Sequence, residues 1–169
     1  MAFPGDILTK RLRLVVITPE LMSMEPSVLR HLLHVDVPAS WPPENWEPHV
    51  FDFMKQQRQS APQTARWNRY VIDQTETPVL VGTVGGFPRT RTEAEIGYSI
   101  LPPWQRRGLA TESVRALLEE IFRDSSRQSV SAQTYPNLRA SMRVLEKCGF
   151  QHAGEGDEVG TVRYRLMRL

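Results

Sequence analysis

Residues 92–122 read TEAEIGYSILPPWQRRGLATESVRALLEEIF, and their order decides the fold. Ile96, Tyr98 and Ile100 alternate with Glu95, Gly97 and Ser99, the period of a strand with one apolar face. Pro102-Pro103 ends that strand, because neither residue can donate to a ladder. A basic loop from Gln105 to Gly108 follows. Beyond it Ala110, Val114, Leu117, Leu118, Ile121 and Phe122 recur at helical spacing. This order brings backbone N–H donors and the Arg106 and Arg107 guanidiniums to a helix N-terminus, a natural seat for a phosphate. Gly108 lets the backbone approach a ligand with no Cβ in the way, and each arginine can bind a phosphate bidentately. The segment therefore points to a pyrophosphate-bearing ligand. An ordinary capped helix beside two solvated arginines is the competing reading.

Upstream, Leu12, Leu14 and Val16 alternate along a strand from Arg11 to Ile17. Thr18-Pro19 starts a helix running to about His34, with Pro26 positioned to break it. Residues 37–48, VPASWPPENWEP, hold four prolines and two tryptophans. They read as a substrate-side loop or as a connector anchored on Trp41 and Trp46. A second helix is expected over 47–59. Strands over 66–74 and 78–87 form an antiparallel hairpin. Gly82, Gly85 and Gly86 mark a bulge or a close backbone approach there.

Downstream, a short strand over 129–134 leads to Asn137 as N-cap of a helix ending at Cys148. Two strands, 150–153 and 162–167, close the chain as a hairpin. The expected class is α/β, with a mostly antiparallel central sheet of about six or seven strands flanked by about four helices.

Composition narrows the function. The chain has 169 residues, 40% hydrophobic and 24% charged, which suits one globular domain over 1–169. A net charge of +2 and a pI near 8.9 are too mild to argue for nucleic-acid binding. No apolar run approaches the ~20 residues that span a bilayer, and no secretory leader is read at the N-terminus. The single cysteine excludes an internal disulfide and a Cys-based metal cluster, and the cytoplasm is the default compartment. His31 and His34 lack neighbouring carboxylates, so no metal centre is expected.

EIGYSILPPWQRRGLATE resembles the GNAT superfamily of acyl-CoA-dependent N-acyltransferases, whose signature is Q/R-x-x-G-x-G/A. Gln105, Gly108 and Ala110 match it. NLRASMRVLEKCGF, from Asn137, is similar to the family's second motif. The combination looks most like the Rim branch, the ribosomal-protein alanine N-acetyltransferases and their small-molecule-modifying relatives, over nearly the whole chain. The resemblance implies acetyl-CoA as co-substrate and a primary amine as acceptor, at a protein N-terminus or on a small molecule. It implies a pyrophosphate held by Gln105, Arg106, Arg107, Gly108, Leu109, Ala110 and Thr111. It also implies a pantetheine arm along the backbones of Ile100 and Leu101, with Asn137 and Ser141 near the thiol. No membrane or direct nucleic-acid partner is implied, and a homodimer is left open.

Forming an amide from a thioester needs a neutral amine, yet an aliphatic ammonium has a pKa near ~10. A base or a water chain must remove a proton. Glu95 is the first candidate, with Glu93 behind it; an edge-solvated or ion-paired carboxylate is the alternative for Glu95. The oxyanion would meet a backbone N–H near Ile100. Many family members protonate the leaving thiolate with a tyrosine in the last helix, but that position holds Leu145 here. Ser141 is the substitute, or a packing residue. Tyr98 reads as core, as does Cys148. Two other functions stay open: a catalytically silent acyl-CoA-binding or sensing module, and a nucleotide-binding protein using the same arginine loop.

Overall fold

The computed structural model describes residues 3–44 and 46–169. Among them, eight strands form one sheet in the order β1-β2-β3-β4-β5-β6-β8-β7. The strands are β1 (Ile7–Leu8), β2 (Leu12–Val16), β3 (Arg69–Asp73), β4 (Val79–Pro88), β5 (Glu93–Ile100), β6 (Ser129–Thr134), β7 (Gln151–Glu155) and β8 (Val162–Met167). Every pairing is antiparallel except β5 with β6. The sheet is one strand larger than expected because β1 is only two residues long, too short for alternation to reveal.

Helices cover both faces. Leu109, Val114, Leu117, Leu118 and Ile121 of α4 (Leu109–Phe122), with Leu145 of α5 (Arg139–Lys147), bury against Leu12, Leu14, Val71, Ala94, Ile96 and Val130. The other face packs Val15, Ile17, Tyr70, Ile72 and Leu80 against Leu21 of α1 (Pro19–Met22) and Leu29 and Leu33 of α2 (Pro26–Leu33). Each such fully buried aliphatic side chain contributes about 1.5–3 kcal/mol. Pro26 opens α2, so the helix is broken near its start as expected. Trp41 joins this second core, edge-on to Tyr70 at 5.5 Å. For Trp41 the connector reading of residues 37–48 is the correct one; Asn45 lies outside the described residues.

α3 (Pro48–Ser60) is tied down by a polar residue. Buried Gln57 donates to the Gly86 carbonyl at 2.9 Å and accepts from Asn68 at 3.0 Å. Phe53 is 45% exposed and meets Phe87 edge-on at 5.0 Å. The expected irregularity in β4 is present, as the β3–β4 register shifts between Val71 and Ile72. A Cβ on Gly82 would collide with the Ser99 carbonyl oxygen. Gly82→Ala is therefore expected to cost about 1–3 kcal/mol, the scale of overpacking a filled site. A lowered urea midpoint at unchanged m-value reads it out; an unchanged midpoint would mean that β4 and β5 yield freely there.

Candidate active site

The site begins where two strands part. β5 pairs with β6 only over Glu93–Ile96 against Ser129–Ala132. Beyond that, Gly97–Ile100 continue against β4, and Gln133 and Thr134 against β8. The Leu101 N–H donates to the Val81 carbonyl at 2.8 Å. Antiparallel bonds alternate, so Ser99 turns its backbone groups toward β4 while Tyr98 and Ile100 turn theirs into the gap. Gln105 Nε2 donates to the Ile100 carbonyl at 2.8 Å. The Tyr98 groups and the Ile100 N–H remain facing the gap.

Leu101 departs from expectation. Its N–H serves β4 and its carbonyl accepts from the Trp104 N–H at 2.9 Å, so its backbone is committed inside the fold. Gln105 departs as well: its N–H donates to the Pro102 carbonyl, and its side chain braces the end of β5. The open part of the loop starts one residue later. Arg106 has φ 63° and Gly108 has φ 77°, two left-handed residues within three positions. Such alternation makes a concave nest of N–H groups. The first helical bond of α4 runs from the Glu112 N–H to the Gly108 carbonyl at 3.1 Å, so the N–H groups of Leu109, Ala110 and Thr111 have no helical carbonyl to meet. The Arg106 and Arg107 side chains are exposed beside them.

On the α5 side of the gap, the Tyr98 hydroxyl donates to the Ser141 carbonyl at 2.8 Å and lies 3.0 Å from Ser141 Oγ. Burial pushes the phenol up to about 12, against the lowering effect of the Ser141 contact. Tyr98, read as core, thus stands behind the serine proposed from sequence. Leu145 is 1% exposed and contributes packing alone. Asn137 does not cap α5. Pro136 and Asn137 form a turn in which the Leu138 N–H donates to the Tyr135 carbonyl at 2.9 Å, and Leu138 takes the N-cap position. Cys148 is half-buried, and that burial raises its thiol.

Glu95 projects from the opposite face of β5 into a cleft of about 590 Å³ lined by Phe53, Gln57, Phe87, Arg89 and Asp157. That size suits a small-molecule site. Glu95 Oε2 accepts from Arg89 Nη1 at 2.7 Å and Oε1 from Gln133 Nε2 at 2.9 Å. Arg89 also forks onto Asp157 at 2.6 and 2.9 Å. Asp157 accepts from Arg163 at 2.6 Å, and its N–H donates to Gln133 Oε1 at 2.6 Å. The guanidiniums of Arg89 and Arg163 hold the Asp157 carboxyl well below the usual carboxylate range. Glu95 is therefore ion-paired, as the alternative reading had it, while it also lines the cleft. Gly97, next on that face, is exposed, with nothing within 4 Å of where a Cβ would stand. Glu93 is paired instead with Arg165 at 3.4 Å.

Sequence reasoning missed Arg89, Gln133, Asp157 and Arg163. One signal was available: Ser129, Ser131 and Gln133 share a polar face of β6 opposite Val130 and Ala132. Among the described residues no group of His, Cys, Asp and Glu could hold a metal, and no helix is long and apolar enough to cross a membrane.

Residues 13–151 match the model of the acetyltransferase (GNAT) domain, and the chain belongs to that family. An uncharacterized N-acetyltransferase of Bacillus subtilis, YoaA, is 33% identical over 94 residues, 54% of this chain and 53% of its own. The chain spans about half the length of that relative. The fold is shared with the ribosomal-protein-S5-alanine acetyltransferase of Vibrio fischeri (TM-score 0.66, 19% identity, 96% of each chain). It is also shared with the microcin C7 self-immunity acetyltransferase MccE, solved with acetyl-CoA and AMP (TM-score 0.68, 14% identity, 98% of each chain).

Proposed function

We propose that this chain, as one acetyltransferase domain, transfers the acetyl group of acetyl-CoA to a primary amine by direct attack. The acceptor is a protein N-terminus, as in the Rim-like relatives, or a small molecule. The observation that carries this reading is the pair of outward-facing donor sets, Tyr98 and Ile100 in the strand gap and Leu109–Thr111 at the start of α4, at the two ends of one strand-loop-helix segment. The loop amides, with Arg106 and Arg107, would hold the pyrophosphate. Tyr98 and Ile100 would pair with the pantetheine arm as a strand does, and an N–H there would meet the carbonyl oxygen as it gains charge.

Glu95 takes the amine's proton through a bridging water. Each of its oxygens accepts one hydrogen bond in the structure, and a carboxylate oxygen has a second lone pair to offer. The new C–N bond forms as the C–S bond breaks. Ser141 gives its proton to the leaving thiolate and takes in return, through the Tyr98 hydroxyl, the second proton that the nitrogen sheds as it becomes an amide, so that Tyr98 ends the step protonated. Exposed Gly97 leaves room between Glu95 and the gap for the amine to pass.

Thiol release from acetyl-CoA, followed over peptides beginning with alanine or serine and over small primary amines, tests the reading. Release that depends on one amine class supports it; tight acetyl-CoA binding without amine-dependent release across the panel would sink it in favour of a silent binder. Tyr98→Phe is expected to lower kcat with acetyl-CoA affinity unchanged, and to cost about 0.5–1.5 kcal/mol of stability. The raised phenol adds a pH signature. Its stabilisation is complete below the unfolded value of about 10 and is lost as pH rises toward about 12. The variant should unfold less steeply than wild type across that window, and equal slopes would remove Tyr98 as the cause.

A further inference from the structure

The first turn of α4 carries an acid where an anion is expected. Glu112 lies one turn from Gly108, at the end of the helix whose amides point outward. Left bare, it would repel a phosphate bound there. It is not bare. Its Oε1 accepts from Thr9 Oγ1 at 2.6 Å and from the Arg11 N–H at 2.8 Å, and its Oε2 accepts from Arg11 Nε at 2.6 Å. Burial works to raise the carboxyl, but these bonds together hold it below its ordinary value.

Arg11 does more than neutralise. Its Nη1 donates to the Arg107 carbonyl at 2.7 Å, and its Nη2 stands 3.3 Å from where a Gly108 Cβ would be. One guanidinium thus spans Glu112, the loop carbonyl and the left-handed glycine. The turn that presents it is itself fixed: the Thr9 N–H bonds the Leu12 carbonyl at 2.9 Å, and the Leu12 N–H bonds Thr9 Oγ1 at 3.0 Å. Thr9 and Arg11 precede the residues that match the family model, which begin at 13. Only the Glu112 half of the clasp therefore belongs to the motif that marks the loop.

We infer that Arg11 is a positioning residue for the phosphate loop, masking the Glu112 charge and turning the Arg107 carbonyl away so that the loop amides face a pyrophosphate. The inference rests on the reading of this loop as the acetyl-CoA seat. Its force is electrostatic, so it has a consequence that a purely structural brace lacks: removing the acid should repair the loss of the base.

Calorimetric titration of acetyl-CoA into wild type, Arg11→Ala, Glu112→Gln and the double variant tests it. Arg11→Ala is expected to weaken binding about 10- to 30-fold at low salt, because one unmasked charge then faces the phosphates. The double variant should return to within about threefold of wild type, and the single-variant deficit should narrow in 0.5 M NaCl, where screening is nearly complete. Arg11→Ala binding as tightly as wild type overturns the inference. So does a double variant as weak as Arg11→Ala, which would leave only a brace. Wild type that fails to bind acetyl-CoA at all removes the loop reading itself, and this inference with it.

Discussion

Gly108→Asp is expected to abolish measurable acetyl-CoA binding, weakening it by at least about 10²–10³-fold. Three costs converge on one atom position. Gly108 holds φ 77°, and a residue with a Cβ pays roughly 1–2 kcal/mol for that conformation. The added Cβ would stand 3.3 Å from Arg11 Nη2, so the clasp must give. The new carboxylate then faces the amides of Leu109–Thr111, where a like charge at 4 Å opposes a phosphate by about 4 kcal/mol at an effective dielectric of 20. At 1.4 kcal/mol per tenfold, these terms suffice for the stated loss. Gly108→Ala separates them: it keeps the backbone and contact costs without the charge, and should lose only about tenfold. Calorimetry with a parallel thermal melt measures both. Binding retained in folded Gly108→Asp would place the pyrophosphate elsewhere.

Glu95→Gln should leave acetyl-CoA affinity within about twofold of wild type and lower kcat by about 10²–10⁴, the range for losing a general base. The substitution keeps volume and removes the charge, but the surroundings react. Arg89 and Gln133 both donate to Glu95, and an amide has one acceptor oxygen for two donors. One N–H must therefore oppose either Arg89 or Gln133, so a modest fall in Tm is expected as well. Arg89 stays anchored, because its fork onto Asp157 is independent of Glu95. Single-turnover rates at saturating acetyl-CoA separate chemistry from fold. An unchanged rate would transfer the proton to another acceptor and leave Glu95 as an ion-pair partner alone.

What sequence could and could not deliver follows from how far apart the cooperating residues lie. Alternation at Ile96, Tyr98 and Ile100 and the helical spacing from Ala110 to Phe122 are local, and both match the elements observed. The gap between β5 and β6 is not local: it exists because pairing stops at Ile96 and Ala132, which no window around either residue reveals. The same holds for Glu95, whose partners Arg89 and Gln133 come from just past β4 and from β6, with Asp157 gripping both partners from the β7–β8 connection. The Asn137 cap failed for a local reason: Pro136 draws Asn137 into a turn and passes the cap position to Leu138. Leu101 and Gln105 fit the motif yet spend their backbone N–H groups inside the fold, an accounting that only three dimensions supply.

β5 is paired along one edge from Ala94 to Ile100 but along the other only as far as Ile96. On the proposed reading, the ligand supplies the rest of that second edge, and the native state is then defined by more than the polypeptide. A ligand held at a hundred times its Kd adds about 2.7 kcal/mol to the stability of the state that binds it, a large share of the 5–15 kcal/mol that holds an ordinary domain together. The bare chain and the chain in a co-substrate-rich cell would then be distinct thermodynamic species. Selection would act on the second, so a substitution tolerated in the cell need not be tolerated by the purified protein.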